Sequence, residues 1–175
     1  MSVAAVALMA SNAFAQAKTN LTGAWVMVVD SAAMAQQQAM AAGGGGGGRG
    51  GPGRGGLGQT FSAVQDDKTL TITRTTPQGE IKTVYNLDGS DSKNMMMGRG
   101  GQATEQVSHA KWDGANLVIN RTMDMGGMAM EIKQTFSVDP SGNLWIETTR
   151  PGQDGTPMSM KVQYKKGIPV KKDGN

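Results

Sequence analysis

The chain has 175 residues, a formal net charge of +3 and no cysteine, which excludes a disulfide framework, a thiol nucleophile and a thiolate metal site. Lys165, Lys166, Lys171, Lys172 and Asp173 together carry the whole net charge, so the rest of the chain is balanced. Nucleic-acid binding needs a basic stripe interleaved with aromatic residues on a folded face. The sequence has no such stripe, and we therefore expect no nucleic-acid partner.

The first 17 residues have the features of a secretory signal peptide. Val3 to Ala10 is a short apolar run, and Ala13-Phe14-Ala15 follows it with the small-x-small pattern of a cleavage site. An apolar stretch of about 10 residues is too short for a membrane-spanning helix, which needs about 20. We therefore predict a signal peptide over 1–17, export to the periplasm or the outside, and no transmembrane segment.

The remaining chain, about 158 residues, is the size of one domain. Ser31 to Ala42 is rich in Ala, Gln and Met and predicts a short helix. Residues 43–58 are nearly all glycine, a composition that cannot bury apolar surface. We predict a single β domain over 18–165, with a flexible Gly-rich insert at 43–58, a flexible loop at 94–102 and a basic tail over 166–175.

Short alternating apolar runs recur about every ten residues along the domain, with turn signals such as Asp88-Gly89 and Asp113-Gly114 between them. The predicted strands are Thr22–Asp30, Thr60–Gln65, Lys68–Thr75, Glu80–Leu87, Glu105–Trp112, Asn116–Met123, Met128–Val138, Leu144–Arg150 and Pro157–Lys165. Strands that follow one another in this way favour an all-β, antiparallel up-and-down barrel of about eight to nine strands, closed so that no edge is exposed.

The segment Leu21-Thr22-Gly23-Ala24-Trp25 resembles the Gly-x-Trp opening of the lipocalin-like, or calycin, barrels. In those proteins the tryptophan lies on the first strand and plugs one end of the barrel. The last strand carries Lys161 and Lys165 where the family packs an arginine over that tryptophan. Over the whole mature chain, the sequence is also similar to small uncharacterised exported proteins of environmental bacteria that carry a Gly-rich insert. The two resemblances imply a barrel fold and export.

The calycin resemblance implies non-catalytic binding of a small apolar ligand inside the barrel, by a monomer without a cofactor. The alternating apolar positions that would line the interior are Trp25, Leu70, Ile72, Tyr85, Ile119, Phe136, Ile146 and Tyr164. The same residues are also what an ordinary filled barrel requires. Resemblance of fold does not by itself identify a ligand.

The 14 methionines support an alternative, periplasmic binding of a soft metal such as copper. Thioethers are soft ligands suited to Cu(I), and alternate residues of a strand point to the same side. The candidate ligands are His109, Met123, Met125, Met128 and Met130. Alternating methionines also occur in ordinary cores, because the flexible side chain fills irregular gaps.

The sequence contains no recognisable catalytic constellation, and we predict that the protein is not an enzyme. It has one histidine, no cysteine and no Ser/His/Asp motif. The segment 88–92 lacks the spaced ligands and final Glu of a calcium loop, and the glycines of 43–58 match a phosphate loop by composition alone. A further alternative is an envelope interaction or structural protein whose loop arginines contact anionic surfaces.

Overall fold

The computed structural model describes residues 18–29, 57–76, 79–97, 103–124, 129–152 and 155–167. The predicted signal peptide and helix, and most of the Gly-rich insert and the tail, lie outside these residues. The described residues form ten strands and no helix that could cross a membrane. The strands are β1 (Gly23–Met27), β2 (Thr60–Gln65), β3 (Thr69–Thr76), β4 (Gly79–Asn86), β5 (Asp91–Met97), β6 (Ala103–Asp113), β7 (Asn116–Asp124), β8 (Ala129–Val138), β9 (Leu144–Pro151) and β10 (Pro157–Lys166).

All ten strands belong to one antiparallel sheet in the order β4-β3-β2-β1-β10-β9-β8-β7-β6-β5. Strands that are consecutive in the sequence pair with each other, except β4 and β5, and β1 also pairs with β10. The edge strands β4 and β5 contact each other without a backbone ladder. The sheet is therefore a nearly closed up-and-down barrel, which confirms the predicted fold class.

Side chains close the seam between β4 and β5. The Asn94 side-chain oxygen accepts a hydrogen bond from the Val84 backbone N–H at 2.8 Å, and its amide nitrogen donates to the Val84 carbonyl at 2.8 Å. The Ser92 hydroxyl accepts from the Asn86 N–H at 2.7 Å, and the Asn86 amide donates to the Asp91 carbonyl at 2.8 Å. Because an asparagine amide carries a donor and an acceptor, Asn94 replaces one rung of a backbone ladder.

The strand count differs from the prediction because β5 was missed. Its sequence, Asp-Ser-Lys-Asn-Met-Met-Met, does not alternate between apolar and polar residues, and the predicted loop at 94–102 overlaps its second half. The structure continues the strand to Met97. The period-two signal depends on an apolar face packed against a core. In β5, Ser92 and Asn94 instead hydrogen-bond to the backbone of β4.

Trp25 on β1 is completely buried in the apolar core. Its indole N–H donates to the Leu21 carbonyl at 2.9 Å, and its backbone lies opposite Phe61 of β2. The strand is shorter than predicted. It ends at Met27, and Val29, which lies within the predicted range Thr22–Asp30, is 44% exposed.

Two lysines of β10 lie over tryptophan rings. Lys166 pairs with Trp25 in the β1–β10 register, and its Nζ lies 5.7 Å from the centre of that ring. The cation over Trp25 is therefore Lys166, whereas the predicted last strand offered Lys161 and Lys165 in place of the family's arginine. Lys161 lies 4.9 Å from the ring of Trp145. Lys166 also ends β10, so the strand extends one residue into the predicted tail.

Candidate ligand site in the barrel interior

The eight predicted interior residues are brought together in one core. Each is only 0–4% exposed: Trp25, Leu70, Ile72, Tyr85, Ile119, Phe136, Ile146 and Tyr164. They belong to one continuous cluster that also contains Leu21, Phe61, Leu117 and Leu144. Burial follows alternate positions along the strands, as expected for side chains that face the inside of a barrel. These positions fit both the wall of a ligand site and an ordinary core.

On several strands, polar side chains also occupy buried, inward-facing positions. Thr83, Ser92, Ser108, Gln134 and Thr148 are all less than 9% exposed. The Gln134 amide donates to the Thr148 hydroxyl at 3.3 Å, and the Ser108 hydroxyl donates to the Ser92 carbonyl at 3.4 Å. Part of the interior is therefore able to hydrogen-bond and differs from a purely apolar core.

Two arginines occupy the next inward-facing positions on β3 and β7, after the buried isoleucines of those strands. Arg74 comes two residues after Ile72, and Arg121 comes two residues after Ile119. The Nε atoms of both arginines are buried and have no hydrogen-bond partner among the described residues. Both residues are half-buried as a whole, and a buried N–H group without a partner costs about 1–3 kcal/mol. The pair of arginines is therefore the most unusual feature of the interior.

Electrostatic interactions connect Arg74 and Arg121 with Tyr85 on β4. Burial raises the pKa of the Tyr85 phenol, and the positive charges of Arg121 and Arg74 oppose that rise. Burial lowers the pKa of Arg121; the interaction with Tyr85 opposes this change, and the charge of Arg74 adds to it. The three side chains are therefore close enough to act on one another electrostatically.

Tyr164 on β10 lies within the field of Arg74. Its hydroxyl donates to the Gly58 carbonyl at 3.0 Å, and its ring packs edge-on against Phe61 with centroids 5.1 Å apart. Burial raises the pKa of Tyr164 to about 12, while a backbone hydrogen bond and the charge of Arg74 act in the opposite direction. Leu57, at the end of the predicted insert, is buried in the same core.

Sequence reasoning missed both arginines, although a signal for them exists. The segments 70–74 and 117–121 share the pattern Leu-x-Ile-x-Arg, in which the arginine has the same phase as two apolar residues that face inward. A charged residue is usually assigned to the exposed face of a strand, because charges are rarely buried. Position in the alternating pattern of the strand therefore predicts better than residue type which of these side chains face inward.

The structure describes only part of the predicted methionine site. Met123 and Met130 are register partners on β7 and β8, and the Met130 side chain is half-buried. Met125 and Met128 lie outside the described residues. The described residues thus bring the backbones of one methionine pair together.

His109, the other predicted copper ligand, is exposed on β6. Its Nδ1 lies 3.4 Å from a carboxylate oxygen of Asp91, and its register partner on β7 is Asn120. Within the described ranges, no group of three His, Asp or Glu side chains is arranged to hold a metal ion. His109 therefore pairs with a carboxylate at the surface.

An open depression of about 470 Å³ lies among outward positions of β6, β7 and β8. Val118 contributes an apolar wall, and Lys111, Lys133 and Glu131 contribute charged groups of both signs. This mixture gives the depression no clear preference for one ligand charge.

Comparison with known proteins gives a relationship of fold and none of sequence. No family model matches the chain, and no curated protein sequence is similar to it. A crystal structure of a mutant of the fluorescent protein UnaG matches with a TM-score of 0.52 and 15% identity, over 84% of this chain and 96% of that chain. At this identity the similarity concerns the fold alone. Together with the nearly closed sheet, it supports the assignment of an up-and-down β-barrel fold.

Proposed function

We propose that the protein binds a small apolar ligand inside its barrel and does not transform it chemically. The observation that carries this proposal is the inward placement of Arg74 and Arg121 beside an otherwise apolar cluster. Buried donors without a partner, such as these two Nε atoms, are rare in folded proteins and call for an explanation. Residues that break the rules of core construction are expected at functional sites.

The cost of this arrangement supports the same proposal. A buried polar atom without a partner costs about 1–3 kcal/mol, and each of the two half-buried arginines has one such atom, its Nε. A small domain has a net stability of only about 5–15 kcal/mol, so two such groups consume much of it. A bound ligand that contacts them would recover part of that stability.

We also propose that the protein acts after export, in the periplasm or outside the cell. The apolar run and the Ala13-Phe14-Ala15 motif support this location. Cell fractionation tests the location: a processed chain that lacks 1–17 in the periplasm or medium would support export, and an unprocessed chain in the cytoplasm would contradict it.

Native mass spectrometry of the purified mature protein tests the binding proposal. We expect an adduct of roughly a few hundred daltons, as isolated or after incubation with a lipid extract of the host, that disappears on denaturation. Ile119→Trp, which fills the interior, should abolish the adduct. Val64→Trp is the matched control, because Val64 is 63% exposed on the outside of β2. A bare mass under both conditions would contradict the proposal.

Soft-metal binding is a second candidate, supported by the register pairing of Met123 with Met130. The same spectra, recorded after adding Cu(I) under reducing conditions, test it. A stoichiometric copper adduct that is lost in Met123→Leu and Met130→Leu would support it, with the exposed Met158→Leu as control. The absence of a copper adduct would exclude it. The envelope-interaction alternative rests on loop arginines outside the described residues.

A further inference from the structure

We propose that the outer depression over β6, β7 and β8 binds a short stretch of a neutral polysaccharide. The site lies on the outside of the barrel and is separate from the proposed interior ligand. Its volume of about 470 Å³ is within the usual range of small-molecule sites, about 300–1,000 Å³. Because the depression is open at the surface, a bound sugar can remain part of a longer chain.

The floor of the depression is Val118, a buried apolar residue outside the core cluster. Its neighbours Leu117 and Ile119 face inward and belong to that cluster, whereas Val118 faces outward and is nevertheless only 6% exposed. In the strand registers, Val118 lies between Lys111 and Thr135. The methylene stem of a lysine can cover apolar surface of this kind. An apolar floor beneath a polar rim suits a sugar ring, which has an apolar C–H face and an edge of hydroxyl groups.

The charges of the rim cancel. Lys111 and Lys133 contribute two positive charges, and Asp113 and Glu131 contribute two negative charges. A charged ligand would lose hydration here without gaining a complementary field. The balance of charge therefore favours a neutral ligand.

The polar groups of the rim remain available to a ligand. The half-buried Asn120 and the four charged rim side chains make no hydrogen bond or ion pair within the part of the chain that the structure describes. The two ion pairs there involve other residues, Lys93 with Glu105 and His109 with Asp91. An ammonium group donates, a carboxylate accepts, and the asparagine amide does both. Saccharide hydroxyls also donate and accept, so they can use all three kinds of group.

NMR titration with cellohexaose, maltohexaose and chitohexaose tests the inference, and a hexamer of galacturonic acid is the anionic comparison. We expect at least one neutral sugar to shift the Val118 methyl signals and the Asn120 and Lys133 amide signals, with a Kd of about 10 μM to 1 mM. The methyl signals of Ile119, which faces inward, should not move. The galacturonate hexamer should bind more weakly than that neutral sugar by about fivefold or more.

Two variants separate the site from general effects on the fold. Asn120→Ala should weaken binding by about fivefold or more, because it removes the group that both donates and accepts. Gln163→Ala removes a half-buried, outward amide from β10 and is the matched control, which should bind like the wild type. The amide spectra of the free variants verify that both are folded.

Three results would each overturn the proposal. They are unmoved Val118 signals with every neutral sugar up to about 10 mM, tighter binding of the galacturonate hexamer, and undiminished binding by Asn120→Ala. None of them bears on the interior ligand, because that proposal is decided by the mass of the adduct and by Ile119→Trp.

Discussion

The side-chain amide of Asn94 forms two hydrogen bonds with the backbone of Val84, each 2.8 Å long. Asn94 lies on β5 and Val84 on β4, the two strands that meet without a ladder. One side chain thus takes the role of a peptide group where the barrel closes. The seam depends on side chains, and it should therefore be the part of the barrel that opens most easily.

Replacing Asn94 with alanine should weaken the seam. Loss of this side chain leaves the N–H and the carbonyl of Val84 without their partners, at an expected cost of about 1–3 kcal/mol. Urea denaturation measures the loss, and amide exchange at Val84 and Asn86 should accelerate more than at Leu70. Asn116→Ala, at an exposed position on β7, is the control and should change stability by less than about 0.5 kcal/mol. Equal losses in the two variants would argue against a closing role for Asn94.

Removing both interior arginines should stabilise the ligand-free protein. Each arginine is half-buried and has a buried Nε without a partner, at a cost of about 1–3 kcal/mol that a methionine would not carry. We expect Arg74→Met combined with Arg121→Met to raise the urea midpoint of the unliganded chain, whereas Arg150→Met should leave it unchanged. A clear loss of stability in the double variant would mean that the arginines support the fold, contrary to a ligand-binding role.

Tyr164 should make the protein sensitive to alkaline pH. Burial raises its pKa from 10.0 to about 12, so the unfolded chain loses the phenolic proton first. The stability contributed by the neutral buried phenol is fully present below about pH 10 and is lost as the pH rises toward about 12, by roughly 2 kcal/mol.

Tyr164→Phe isolates this effect, because Tyr85 and the lysines are retained in both proteins. The variant should be less stable at neutral pH by about 1 kcal/mol, since it lacks the hydrogen bond to Gly58. The difference in free energy of unfolding between the two proteins should shrink or reverse above about pH 10. A constant difference from neutral to alkaline pH would contradict the assigned pKa shift.

Trp25 should be the costliest tryptophan to remove. It is fully buried and hydrogen-bonded to the Leu21 carbonyl, so Trp25→Ala should cost about 3–5 kcal/mol in urea denaturation. Trp145 is only half-buried, and its indole donates to the Asp139 carboxylate at 3.1 Å. Trp145→Ala should therefore cost less. The opposite ranking would place the centre of the core elsewhere.

Alternation along the strands was sufficient to predict the apolar half of the interior. Leu70, Ile72 and Tyr85 were assigned to the interior because apolar residues recur at every second position, and burial follows the same period. Trp25 was identified from the Gly-x-Trp resemblance. Both signals work because an apolar side chain on a strand has a strong preference for the core.

The polar half could not be predicted in the same way. Ser92 and Asn94 are polar because they close the seam, and Arg74 and Arg121 are charged although they face inward. Hydrophobic patterning assumes that polar side chains face water. It fails where a polar side chain replaces a backbone hydrogen bond between two strands, or where a polar atom is buried without a partner. Lys166 was also assigned to the tail, although its ammonium group lies over the ring of Trp25.

Methyl NMR tests most directly whether the ligand binds inside the barrel. The isoleucine and methionine methyl groups are labelled, and a lipid extract of the host is added stepwise. We predict shifts for Ile72, Ile119 and Ile146, which are at most 1% exposed, and an unchanged signal for Met95, which is 61% exposed on β5. A shift of the Met95 signal with the isoleucine signals unmoved would place binding on the outer surface and contradict an interior site.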